Sequence, residues 1–152
     1  MKLTRIMVPV DYSEQSRRAL EYAAELALAF SATLDVVHCF DRPSYVSDDV
    51  FIERAGKRRP LVEVLREDAE REMAQFLEGS KLPGGIQVDR HLVGGDPTSV
   101  VCQRLGEGYD LVVIGASGKS GVRQFLLGSV AARLVRLSPV PVLTVPPVAA
   151  DA

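Results

Sequence analysis

Five short β-rich runs alternate with longer helical patterns along this chain, and that alternation constrains the fold more than any other feature. The runs are Leu3 to Val10, Thr33 to Phe40, Ile86 to Val93, Leu111 to Gly115 and Val140 to Val145. Between them, Glu14 to Phe30, Leu61 to Leu77, Pro97 to about Leu105 and Val130 to Leu137 carry helical periodicity. In the first of these, Ala19, Leu20, Ala23, Ala24, Ala27 and Leu28 form a narrow stripe of mostly small residues, suited to close packing on a sheet. Ser13 stands where that helix needs a cap, and Asp96-Pro97 supplies a cap and a first helical residue to a later one. Strands that alternate with helices build a parallel sheet wrapped on both faces by right-handed crossovers. The expected fold is therefore an open, doubly wound, five-stranded parallel α/β sheet. Residues 1–148 make one domain and residues 149–152 a short tail. The stretch from Asp41 to Pro60, with Pro43, Gly56, Pro60 and clustered charges, reads as a long irregular surface connection.

Within this frame one segment carries chemistry. The apolar run Leu111-Val112-Val113-Ile114 leads into Gly115-Ala-Ser-Gly118-Lys-Ser-Gly-Val-Arg-Gln-Phe-Leu-Leu-Gly128-Ser129, and a helix comes next. Strand, glycine-rich loop and helix start together cradle phosphate. Glycine permits close backbone approach, and the first turn of a helix offers unpaired N–H groups with a partial positive charge. In a doubly wound sheet, ligands lie beyond the carboxyl ends of the strands where the winding reverses. Asp11, Cys39-Phe40 and Gly115 would all stand on that edge. The loop is not a P-loop, because Val113 occupies the place of the first glycine that Gly118-Lys119-Ser120 would need. It is not a GxGxxG dinucleotide fingerprint either.

Bulk properties narrow the alternatives. With 152 residues and a formal net charge of −2, the chain has no general basic surface for nucleic acid or acidic membranes. The dense basic run Lys57-Arg58-Arg59 lies near Glu53, Glu63 and Glu67 and reads as a solvated loop. No apolar run reaches the ~18 residues of a membrane span, and Pro9 and Asp11 interrupt the amino-terminal run before a signal-peptide core forms. The expected location is the cytoplasm. Cys39 and Cys102 have no CxxC spacing and no histidine cluster beside them, which argues against a zinc site and against a disulfide framework. His38 and His91 read as core histidines, with no spacing that suggests a metal.

The spacing Gly115, two residues, Gly118, nine residues, Gly128-Ser129 resembles that of the universal stress protein family, in its ATP-binding class. Val8-Pro-Val-Asp11-Tyr-Ser13, Gly94-Gly-Asp-Pro97 and Pro139-Val-Pro-Val-Leu-Thr-Val are similar to that family's other blocks, so the resemblance covers nearly the whole chain. It implies an adenine-nucleotide alpha-hydrolase-like fold that holds ATP with magnesium. In that reading Pro9 and Val10 line the adenine side, and Cys39 contacts adenine through its backbone. Asp11 faces the ribose or a magnesium-associated water, or else helps to cap the first helix. Ile114, Gly115, Ser117 and Gly118 form the loop wall around the phosphates. The N–H groups of Gly128 and Ser129 hold them at the helix entry with Val130, where the Ser129 hydroxyl can add a bond or cap the helix. Lys119 and Arg123 can neutralise phosphate or remain solvated. No residue is placed as a catalyst, and none as a protein-held metal ligand.

The resemblance thus implies an ATP-binding regulatory protein of the stress response, acting as a nucleotide-dependent switch or interaction module. A slow ATPase or autokinase and a nucleotide-free interaction protein of the same fold are the alternatives. It also implies a homodimer through the short, apolar, terminal strand Val140 to Val145.

Overall fold

A computed structural model describes residues 2–40, 47–117 and 126–148. Its elements run β1 (Arg5–Val10), α1 (Glu14–Phe30), β2 (Thr33–Phe40), β3 (Phe51–Arg54), β4 (Lys57–Pro60), α2 (Leu61–Glu78), β5 (Gln87–Gly94), α3 (Pro97–Leu105), β6 (Leu111–Gly115), α4 (Ser129–Leu137) and β7 (Val142–Val145). Five of the strands form one parallel sheet in the order β5-β2-β1-β6-β7. The chain winds outward from β1 to β2 and β5, then returns past its start to β6 and β7. The winding therefore reverses between β1 and β6, which makes their carboxyl ends the expected ligand crevice.

Period-two alternation assigns the two faces. Ile6, Val8, Leu34, Val36 and Val113 point into a core with Ala19, Leu20, Ala23 and Ala24 of α1 and Met73 and Phe76 of α2. Met7, Val37, Val112 and Ile114 point the other way, into a core with Val101 and Leu105 of α3 and Ala131 and Leu134 of α4. The completely buried side chains, such as Ile6, Leu20, Leu34 and Leu134, each contribute about 1.5–3 kcal/mol of transfer free energy. Ser13 caps α1 as expected, its hydroxyl accepting from the Ser16 N–H at 3.2 Å. Asp96 caps α3, accepting from the Ser99 N–H at 2.9 Å and its hydroxyl at 2.8 Å. Those bonds hold the Asp96 carboxyl below its ordinary pKa.

The stretch from Asp41 to Pro60 departs from the expectation of an irregular connection. Phe51 to Pro60 folds back as an antiparallel hairpin, with Phe51 paired to Pro60 and Arg54 to Lys57. Its two-residue turn, Ala55-Gly56, has both φ angles positive, at 54° and 74°, the geometry that matches the twist of a tight hairpin. The basic run is likewise not a solvated loop but β4. Arg59 donates to Glu67 at 2.8 Å and Arg54 to Asp68 at 2.9 Å, strapping the hairpin to α2. Other boundaries move by a residue or two: β1 begins at Arg5, β5 runs from Gln87 to Gly94, and β7 begins at Val142 because Pro141 offers no N–H to a ladder.

Candidate functional site

A cleft of about 230 Å³ opens at the carboxyl edge of the sheet, where the winding reverses. Every residue singled out from the sequence as a site candidate lines it, except Gly118, which lies outside the described residues together with Lys119 and Arg123. Pro9, Val10 and Asp11 come from the end of β1 and Cys39 from the end of β2. Ile114, Gly115 and Ser117 come from β6 and its exit, and Gly128, Ser129 and Val130 from the entry to α4. The structure adds walls that sequence reasoning missed. Pro97 and Val101 of α3, Val37 of β2 and Ser16 of α1 also face the cleft. Pro97 was legible as a helix start but carried no sign that its helix borders a ligand.

The turn after β1 fixes Asp11. Tyr12 has φ of 63°, a left-handed conformation that costs a non-glycine residue roughly 1–2 kcal/mol. Its ring stacks on His38 with centroids 4.0 Å apart and packs against Phe76 at 5.2 Å, which holds the turn in place. Burial, with Glu72 adding to it, raises the Tyr12 phenol far above its ordinary pKa, so the ring stays neutral. His38 Nδ1 lies 2.8 Å from the Val10 carbonyl, to which it must donate. The imidazole therefore clamps β1's end to β2 as a satisfied structural histidine. Asp11 Oδ1 accepts from the Ser13 N–H at 3.0 Å, so its carboxylate shapes the turn that caps α1 while also facing the cleft.

The backbone at the end of β2 is the second polar feature. Thr33 N–H bonds to the Thr4 carbonyl and the Phe40 carbonyl accepts from Gly95. Odd residues of β2 therefore face β1 and even ones face β5. The β1 pairing ends at Val10 opposite His38. Cys39 therefore gives its N–H to the Val10 carbonyl in that last pair, and only its own carbonyl reaches past the paired ladder. Its side chain packs at the margin of the α3–α4 core. Burial first, and then Asp96, push the Cys39 thiol up to about 11, with Arg104 opposing. Alkylation by iodoacetamide in a Cys102→Ser background is therefore expected to be negligible at neutrality and to rise steeply toward that value. Ready labelling at neutral pH, read by mass, would show that the thiol is not shielded.

The entry to α4 differs in detail from the expectation. Gly128, not Ser129, is the capping residue, and no side chain among the described residues caps the helix. The Gly128 N–H donates to the Ala116 carbonyl at 2.6 Å and is not available to an anion. The N–H groups of the next three residues, Ser129, Val130 and Ala131, make no hydrogen bond among the described residues, and all three residues line the cleft. An uncapped helix start of this kind carries a partial positive charge and open donors. Gly115 has a packing reason for being glycine, since a β-carbon there would stand 2.9 Å from the Gln15 carbonyl oxygen in the first turn of α1.

Electrostatically, Asp11 is the one carboxylate lining the described part of the cleft, and no lysine or arginine lines that part. No cluster of metal-ligating side chains occurs among the described residues. The described part of the cleft can therefore offer a cation one carboxylate, and a phosphate the start of α4.

Residues 2–146 match the Universal stress protein family. The chain belongs to this family. A Thermus aquaticus universal stress protein is 35% identical over 142 residues, covering 92% of this chain and 96% of its own. Universal stress protein YxiE of Bacillus subtilis is 28% identical over 145 residues, covering 93% and 97%. Among solved structures, the protein MJ0577 superimposes with a TM-score of 0.74 at 25% identity, covering 95% of this chain and 96% of that one. A universal stress protein in complex with cAMP gives a TM-score of 0.60 at 30% identity, covering 95% and 98%. The five-stranded parallel sheet with helices on both faces is thus the family's α/β fold. Among the described residues, no helix of this universal stress protein is long and apolar enough to cross a membrane.

Proposed function

We propose that this universal stress protein binds an adenine nucleotide, ATP with magnesium, in the cleft between β1 and β6, and acts in the cytoplasm as a nucleotide-dependent switch or interaction module rather than as an efficient enzyme. The observation that carries the reading is the pairing of two unlike surfaces in one cleft. The three N–H groups at the start of α4 that have no partner among the described residues stand at one side, and the Cys39 carbonyl, past the last β1–β2 pair, at the other. The first suits phosphate. The second suits the hydrogen-bonding edge of a base, whose faces would lie against Val37, Pro97 and Val101. A cleft of about 230 Å³ falls below the ~300–1,000 Å³ usual for enclosed ligands. That size favours enclosure of the base and sugar, with the phosphates at the α4 rim.

Magnesium fits this site only as a companion of the phosphates. Asp11 already accepts a backbone N–H, and with no second described carboxylate beside it a cation would take most of its ligands from phosphate oxygens and water. When bound, it would neutralise phosphate charge that the described lining does not meet. Cyclic AMP is the second reading, favoured by the absence of cationic side chains from the described lining and by the relative whose structure holds cAMP.

The chain is further proposed to be a homodimer through β7, an edge strand whose outer side has no partner among the described residues. Val135, Leu137 and Val148, near it in sequence, are exposed apolar side chains. Native mass spectrometry of gently purified protein tests all of this in one spectrum. A dimer mass carrying one ATP per chain is the expected result. Bound cAMP would select the second reading, and a bare monomer that takes up neither ligand would overturn both proposals.

A further inference from the structure

A buried polar cluster lies under α3, beside the cleft. Asp35 of β2 is completely buried, on the same face of the strand as the cleft residues Val37 and Cys39. Its carboxylate stands 2.7 Å from Arg5 Nη2 of β1 and 3.4 Å from His91 Nε2 of β5. From α3, Arg104 Nη2 comes within 3.0 Å of His91 Nδ1. Tyr109, in the turn after α3, accepts from Arg5 at 3.2 Å and lies beside Asp35 and Arg104. Cys39 is a further titratable group on this face, and it feels the charge of Arg104.

These contacts fix the state of the imidazole. A guanidinium has donors only, so His91 Nδ1 must accept and its hydrogen must sit on Nε2, toward Asp35. The arrangement exists only while the ring is neutral. A proton on Nδ1 removes the acceptor and leaves two cations at hydrogen-bond distance. Arg5 already balances the single carboxylate, so Asp35 cannot neutralise both.

The cluster is tied to the cleft through α3. His91 sits opposite Val37, a cleft residue, in the β2–β5 register. Arg104 comes one turn after Val101, and Val101 and Pro97 are the α3 wall of the cleft. Glycines with positive φ flank the helix, Gly95 at 134° and Gly108 at 87°, the kind of joints about which a short helix can shift.

We propose that His91 and Arg104 form a proton-operated latch on α3. With a neutral imidazole the latch holds the Pro97–Val101 wall against the cleft, and protonation of His91 releases it and weakens nucleotide binding. The proposal rests on the nucleotide reading above for its ligand but not for its geometry.

The test compares ATP affinity by calorimetry for wild type and His91→Gln between about pH 5 and 8. Glutamine can accept from Arg104 and donate toward Asp35, but cannot titrate. The ratio of wild-type to His91→Gln affinity should be near one at neutrality and fall about tenfold on acidification, the effect of one lost hydrogen bond. Titration of ATP itself is common to both proteins and cancels. Parallel profiles would overturn the latch. Should His91→Gln fail to fold, Arg104→Met replaces it and is expected to show a weaker affinity with a flat profile. If wild type binds no ATP at any pH, the nucleotide reading fails alone. The latch is then read from amide hydrogen exchange in α3, where protection factors, corrected for the intrinsic pH dependence of exchange, should fall in acid for wild type only; equal protection in both proteins at every pH overturns it.

Discussion

Gly115→Ala is expected to lower the unfolding free energy by about 2 kcal/mol, within the ~1–3 kcal/mol typical of overpacked sites. The new β-carbon would sit 2.9 Å from the Gln15 carbonyl oxygen, 3.1 Å from its carbonyl carbon and 3.3 Å from its own β-carbon. The first two of these belong to backbone and cannot swing aside as a side chain could. The backbone in question is the first turn of α1, pinned by the Ser13 cap and by the Asp11 turn before it. Further along, the buried alanines Ala19, Ala23 and Ala24 set α1 close against the sheet, so retreat of the helix would open that interface as well. Gly115 has no positive φ, so the requirement is space and not conformation. Equilibrium urea unfolding checks the expectation, and an unchanged midpoint and slope would show that α1 can yield.

That glycine shows how reading along the sequence can miss a cause. A glycine between a strand and a phosphate loop suggested room for a ligand, because the sequence displays the neighbours of Gly115 along the chain and not the groups packed against it. Contacts along the chain were legible. The alanine stripe of α1, the Ser13 cap and Asp96-Pro97 each announce a local structure that the fold then uses. The hairpin Phe51 to Pro60 was not legible, because its turn is Ala55-Gly56 rather than Asn-Gly or Asp-Gly and its strands are highly charged. Ion pairs tie it to α2, where Asp68 and Glu67 lie well along the next helix. Lateral adjacency was hidden for the same reason. The strand order places β5 beside β2 and brings α3 over both. Only then do Pro97 and Val101 become a cleft wall, and His91 a partner of Asp35 and Arg104 rather than an ordinary core histidine.

Gly128→Val should have the opposite profile, with the fold kept and the ligand lost. Gly128 has φ of −58° and ψ of 159°, an extended conformation open to any residue and favourable to a β-branched one. Its bond to the Ala116 carbonyl uses the backbone N–H, which valine also has. The poorer helix cap should cost the fold about 1 kcal/mol. The cleft has less tolerance. Gly128 lines it immediately before the open N–H groups of Ser129, Val130 and Ala131, and a branched side chain there would stand where a phosphate must approach. ATP affinity is expected to fall about a hundredfold or more, a loss of ~3 kcal/mol. Gly128→Ser, whose side chain is smaller and can donate to phosphate, should lose much less. Calorimetry on both variants, with urea midpoints alongside, separates the ligand's requirement at Gly128 from the helix's requirement at Gly115. Wild-type affinity in Gly128→Val would move the phosphates away from the start of α4.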